Sequence, residues 1–340
     1  MQRNRLLPAL GLFVAAGLSG CRVNPVDIDR AIEHYVAGRL AMEQHDYERA
    51  LDELREAIRA NPRLSVAHAT VGDIHRKREN YVLAAGAYEE ACEANPYAFR
   101  PHYNLGVTYQ LLADRSEAAA TAADYIRRAV RVYLRAITLR SSDFDANLNL
   151  SACYFRQGKF DLAEQYCKAA VELAPSNPHG RSNLGIIYDA QNRPYDAIAA
   201  YKASLELDTR QPKLLLNMGS TYMQLRRLND ALNAFQMAAR EDPSCAEAYV
   251  QIGACQYHLK NWEESAAAYQ RAVKIDPNCA QGFRGLGVVY MTRYIMEKAG
   301  EEMRNKALDA WHRSLELDSN QPDLLRLVKK YRPEITGPPL

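Results

Sequence analysis

The sequence predicts an all-α solenoid of eight helical hairpins followed by a capping helix, and three observations predict it. A small residue recurs every 34 positions: Gly38, Gly72 and Gly106, then, after one gap of 45, Ser151, Gly185, Gly219, Gly253 and Gly287. Two more small columns run in step with the first. One is Ala50, Ala84, Ala129, Ala163, Ala197, Ala231, Ser265 and Ala307, and the other, seven residues later, is Ala57, Ala91, Ala136, Ala170, Ser204, Ala238, Ala272 and Ser314. Pro62, Pro96, Pro175, Pro243 and Pro277 close five of the units, as a residue without an amide donor should.

Taken in chain order, residues 1–21 come first. They carry Arg3 and Arg5, an apolar run from Leu6 to Gly17, and a small-residue end, Leu18-Ser19-Gly20-Cys21. That order is the plan of an export signal. The apolar run is too short to span a bilayer, which takes about 20 residues. The last four residues resemble the bacterial lipobox, which implies lipidation of Cys21 and a mature chain that starts there; the alternative is an ordinary signal peptide with a coincidental cysteine. Arg22 follows where an inner-membrane lipoprotein of enteric type carries Asp, so the resemblance implies an outer-membrane protein facing the periplasm. Residues 22–30 are expected to be a short tether.

The repeats occupy residues 31–321. Glycine in a helix interior costs about 1 kcal/mol relative to alanine, so its return at one phase needs a packing reason. The reading is an antiparallel pair of helices in which the glycine column of the first faces the alanine column of the second. In the fifth unit Leu184, Ile187 and Tyr188 line one helix and Ala197, Ile198, Tyr201 and Leu205 the other, a face that neither could bury alone. The third and eighth units are longer by eleven and eight residues between their small columns, with the extra sequence at 116–124 and 296–305. Extended hairpins are expected there, serving either as a second contact site or as surface elaboration. Residues 322–332, with Leu324, Leu325, Leu327 and Val328 beside Lys329, Lys330 and Arg332, read as the capping helix, and 333–340 as a tail.

Tyr103-Asn104-Leu105-Gly106, with Tyr109 after it, resembles the tetratricopeptide repeat pattern, and the resemblance extends over all eight units. It implies a right-handed superhelix whose first helices line a concave groove. Two residues before the small column stand Asn104, Asn149, Asn183, Asn217 and Gln251. A primary amide both donates and accepts, so it can hold the N–H and C=O of an extended peptide. Helices about 10 Å apart would present one amide for every three peptide residues of about 3.3 Å each. Asparagine ladders of this kind grip peptide backbone in some members of the family; asparagine is also frequent at this position without that role. Tyr103, Phe155 and Tyr257, with Leu148, Leu216, Met223 and Met291, are expected on the same face as side-chain contacts. The family's carboxylate clamp is not matched, because its asparagine positions hold Val107, Ala152 and Ile186.

Composition agrees with a folded, soluble body: 48% apolar and 25% charged residues, with a net charge of +2 and no long basic run. Nucleic acid is therefore not expected as a partner. His34, His68 and His102 share one phase but lie a repeat apart, too far to share a zinc ion, and are read as aromatic spacers. Cys153 and Cys167 fall on the two helices of one hairpin, either as a disulfide or as inert thiols. No catalytic motif or cofactor fingerprint stands out. The expectation is a lipid-anchored, non-enzymatic scaffold for proteins or extended peptides in the cell envelope, of pilotin or protease-adaptor type; the alternative is a regulatory subunit that gates an envelope enzyme.

Overall fold

The computed structural model describes residues 25–332, which fold into 17 helices with no strand among the described residues. Two compact units divide at residue 139. The first holds three hairpins: α1 (Pro25–Glu43) with α2 (Tyr47–Ala60), α3 (Ser65–Lys77) with α4 (Tyr81–Ala94), and α5 (Phe99–Asp114) with α6 (Ala119–Leu139). The second holds five: α7 (Phe144–Arg156) with α8 (Phe160–Leu173), α9 (Pro178–Ala190) with α10 (Pro194–Leu205), and α11 (Pro212–Gln224) with α12 (Leu228–Glu241). It continues with α13 (Ala246–His258) and α14 (Trp262–Ile275), then α15 (Ala280–Met296) and α16 (Gly300–Leu317), and ends in α17 (Pro322–Tyr331). Helix α17 stands where the cap is expected and lays Leu324 and Val328 into the α15–α16 core.

One expectation is corrected at the start of the fold. Residues 22–30 do not form a tether throughout, because α1 begins at Pro25, where a missing amide proton and fixed φ suit the first helical position. Cys21 and the tail 333–340 lie outside the described residues. No helix among those described is long and apolar enough to cross a membrane.

Each ordinary hairpin turns through one residue of left-handed backbone, seven after the small column: His45, Glu79, Gly158, Asn192, Arg226 and Lys260, with φ between 58° and 71°. The following amide then reaches back to close the helix, as Asn80 N–H does to the His75 carbonyl at 2.9 Å. Only Gly158 adopts that φ without a steric cost. In the third and eighth hairpins the first helix runs past that position; the eighth turns later, through Lys298 and Gly300 at φ 51° and 77°, and the second helices are the 21-residue α6 and the 18-residue α16 expected of extended hairpins.

The packing reason for the glycines differs from the expected glycine-to-alanine contact. A Cβ on Gly72, Gly106, Gly219 or Gly253 would strike the ring of Tyr88, Tyr133, Phe235 or Tyr269, all four from the helix opposite. These rings stand one helical turn after the alanine column, and Tyr88, Tyr133 and Phe235 are wholly buried. The glycine thus makes room for a flat ring against bare backbone, while the alanine column keeps the two backbones close. Where serines replace small residues they bridge that narrow gap: Ser265 Oγ donates to the Gly253 carbonyl at 2.7 Å and Ser151 Oγ to the Ala163 carbonyl at 2.8 Å. The fourth unit confirms the logic by exchanging both partners. Ser151 replaces glycine, and the ring position is taken by the smaller Cys167.

Candidate functional site

The first helix of each hairpin carries the residues singled out for peptide binding, and the structure gives them unequal surroundings. In the first unit Asn104 is already engaged. Its Nδ2 donates to Asp73 Oδ1 at 3.2 Å, and the same carboxylate accepts the Tyr88 hydroxyl at 2.5 Å. Tyr103 stacks on Phe99, with centroids 5.8 Å apart, and meets Tyr133 edge-on at 6.0 Å. Both residues are half-buried parts of a polar and aromatic cluster.

In the second unit Asn149, Asn183 and Gln251 are half-buried and Asn217 is exposed. Phe155 packs at 5.5 Å against Phe160 of the facing helix. Tyr257 lies 5.1 Å from the Trp262 ring and shares a 3.1 Å hydrogen bond with Thr292 Oγ1. Leu216 and Met291 are corrected: at 8% and 4% exposure they belong to the core rather than to a binding face. Leu148 and Met223 remain half-buried, Met223 with its sulfur 3.3 Å from Cys255 Sγ.

Asn217 borders a cavity of ≈ 370 Å³ between α9 and α11. Its apolar lining comes from Ile186, Leu214 and the ring of Tyr201, and Ser182, His179 and Asn217 supply polar groups around it. Asn183 is not in the lining, although it stands one unit before Asn217 in the same column. The Tyr201 ring is fixed at both ends, by its packing on Gly185 and by its hydroxyl, which donates to Asp189 Oδ2 at 2.7 Å. Burial and that carboxylate push the Tyr201 phenol far above its ordinary value, so it stays a neutral donor. The arrangement offers a rigid apolar recess beside an amide that can both give and accept a hydrogen bond, which suits an apolar side chain flanked by peptide backbone.

Asp189 escaped the sequence reading. It accepts from Tyr201 and, at 2.7 Å, from Thr221 Oγ1, while its Oδ1 is buried without a partner. The signal was available, because Asp189 occupies the column of Phe155 and Tyr257, four residues after the small position.

The histidines read as spacers do more than fill space. His34 Nδ1 lies 2.7 Å from Glu53 and His68 Nδ1 2.9 Å from Glu90, each tying the first helix of its hairpin to the second. His102 Nδ1 meets the Ala98 carbonyl at 2.9 Å. Cys153 and Cys167 are buried and not joined in a disulfide, and Cys167 Sγ donates to the Gly180 carbonyl at 3.3 Å. Burial raises the Cys167 thiol to about 12, far from the thiolate that disulfide exchange requires.

The tetratricopeptide repeat family model matches residues 35–99, 113–178 and 216–301, more than half of the chain. No curated protein matches it in sequence. Among solved structures it is similar to PilF of Pseudomonas aeruginosa, at 19% identity and TM-score 0.52, over 64% of this chain and 94% of that one. YrrB, described as a tetratricopeptide repeat protein with an unusual peptide-binding site, is similar at 20% identity and TM-score 0.49, over 59% of this chain and 99% of that one. MamA of Desulfovibrio magneticus RS-1 is similar at 20% identity and TM-score 0.48, over 53% and 96%. At these identities the likeness is one of fold.

Proposed function

Because the chain belongs to the tetratricopeptide repeat family, we propose that it is a scaffold that takes other proteins, as extended peptides, on the first-helix face of its second unit. The observation that carries this is the recess of Ile186, Leu214 and Tyr201 with Asn217 at its edge. An apolar anchor enters the recess, and the amide column holds the backbone beside it. One amide hydrogen bond nets about 1 kcal/mol, so the column sets register and the recess supplies the larger share of affinity.

The same reading places the protein in the cell envelope, in an assembly role of pilotin or protease-adaptor type, with a lipid on Cys21 and the outer membrane as its site. What supports this is the order of basic start, apolar middle and small-residue cysteine end in residues 1–21.

The test is the pair Asn183→Ala with Asn217→Ala, measured for capture of an immobilised peptide library. Loss of two backbone hydrogen bonds, about 2 kcal/mol together, lowers affinity roughly 30-fold while the circular dichroism melt stays put. Unaltered capture by the double variant removes the amide column from the site.

A further inference from the structure

Helix α1 is apolar on two sides. One side, with Ala31 and Ala41 at 1% and 2% exposure, packs into its hairpin. The other carries Ile28, Ile32, Val36 and Leu40 at a spacing of four, exposed by 40%, 49%, 57% and 56%. A stripe at that spacing lies along one face of the helix. Val36 and Leu40 owe their exposure to this first hairpin, since one repeat later their positions hold the buried Thr70 and Ile74, whereas that of Ile32 holds Val66, equally exposed at 49%. Leu40 stands two residues after the small column, where α3 and α5 place Ile74 and Thr108, both wholly buried.

From Ile28 to Leu40 the stripe runs about 18 Å at 1.5 Å per residue. If the lipid anchor proposed above is correct, only Arg22, Val23 and Asn24 lie between the lipidated Cys21 and the first residue of α1. From Cys21 to Pro25 an extended chain reaches at most about 14 Å, too little to cover the stripe and too little to hold α1 away from the bilayer. The charges on α1 are Asp27, Asp29, Arg30, Glu33, Arg39 and Glu43, and Arg39 is paired with Glu43 at 3.7 Å. Acids outnumber bases, and by helical phase Asp29, Arg39 and Glu43 share the stripe's side of α1, so any contact with lipid rests on apolar burial by the four side chains rather than on attraction to anionic headgroups.

We propose that α1 lies flat on the membrane surface with Ile28, Ile32, Val36 and Leu40 in the interface between headgroups and acyl chains, making a second, non-covalent contact beside the lipid on Cys21. This rests on the lipid-anchor reading and adds to it an orientation. The first unit is held against the bilayer along α1 instead of swinging on a single point.

The experiment uses the full lipidated protein in phosphatidylcholine vesicles that contain a phospholipid with a photoactivatable acyl chain, followed by flotation and peptide mapping. Label is expected on Ile28, Ile32, Val36 and Leu40 and not on Val82 or Tyr195, which at 68% and 71% are at least as exposed. Replacing Ile32 and Val36 by Asp, neither of them a core residue, is expected to abolish label on α1 while the protein still floats through Cys21. Protein that floats with α1 unlabelled, or labelled no more than Val82 and Tyr195, overturns this proposal and leaves the anchor reading standing. Protein that does not float at all removes the anchor reading and this proposal with it.

Discussion

The exchange seen in the fourth hairpin can be transplanted, and doing so tests the contact on which every hairpin depends. A side chain at Gly219 would bring its Cβ to 2.5, 2.7 and 2.8 Å from Cε1, Cδ1 and Cζ of Phe235, a ring with no exposed surface. Overpacking of that kind costs about 1–3 kcal/mol. Serine in place of a helical glycine returns roughly 0.5 kcal/mol through propensity, so Gly219→Ser should lose about 1–2 kcal/mol net. Phe235→Cys alone removes a buried ring and should cost about 3 kcal/mol. In the double variant the small thiol vacates the space the new Cβ needs, and the serine hydroxyl comes within reach of the Ala231 carbonyl, as Ser151 does of Ala163 at 2.8 Å. The pair should therefore be more stable than the sum of the single losses by about 1–2 kcal/mol. Urea unfolding followed by circular dichroism gives the totals. Hydrogen exchange in α11 and α12 locates the effect, since stability in a repeat array is set unit by unit. Gly86→Ala is the control: in α4 an added Cβ meets nothing within 4 Å, and the change should gain about 0.5–1 kcal/mol. A Gly219→Ser variant as stable as the parent, or strict additivity in the double variant, would refute the glycine-and-ring account.

Two further outcomes are expected. Burial raises the Cys92 and Cys167 thiols from 9.0 to about 12 and that of Cys255 to about 11, so folding favours the neutral form. Their contribution to stability is complete below pH 9 and is lost as pH climbs toward 11 and 12; the urea midpoint should fall over that window, and a midpoint flat to pH 11 contradicts it. Changing Cys21 to Ala should move the protein from the membrane fraction to the soluble one, and unchanged sedimentation would count against lipidation.

The fold was legible because a packing rule repeated at 34 residues leaves its mark in any one sequence. The ring column was harder to read. Leu54, Tyr88, Tyr133, Cys167, Tyr201, Phe235, Tyr269 and Trp311 share a role but not a residue type, since any flat or modest side chain fits a glycine notch. Small columns announce themselves by identity, and the ring column only by phase. The start of α1 was missed for a local reason: the hydrophobic pattern begins at Ile28, while the helix is set by Pro25 three residues earlier.

The candidate site was legible as a column but not as a set of environments. Asn104 and Asn217 each stand beside the residue 31 positions earlier, on the first helix of the preceding hairpin, which sits one repeat back with a near-full turn of offset. For Asn104 that residue is Asp73, and the carboxylate takes the amide proton. For Asn217 it is Ile186, and the two instead share an apolar recess. One column of nearly identical residues thus contains an amide tied within the chain and another open to a ligand. The 34-residue period alone cannot separate them, whereas the 31-residue offset can. By that rule Asn183 looks to Ala152, a side chain without the charge to bind its amide or the bulk to build a recess. Capture should therefore suffer more from Asn217→Ala than from Asn183→Ala when the two are separated. Equal losses would show that Asn217 gains nothing from standing at the edge of the recess.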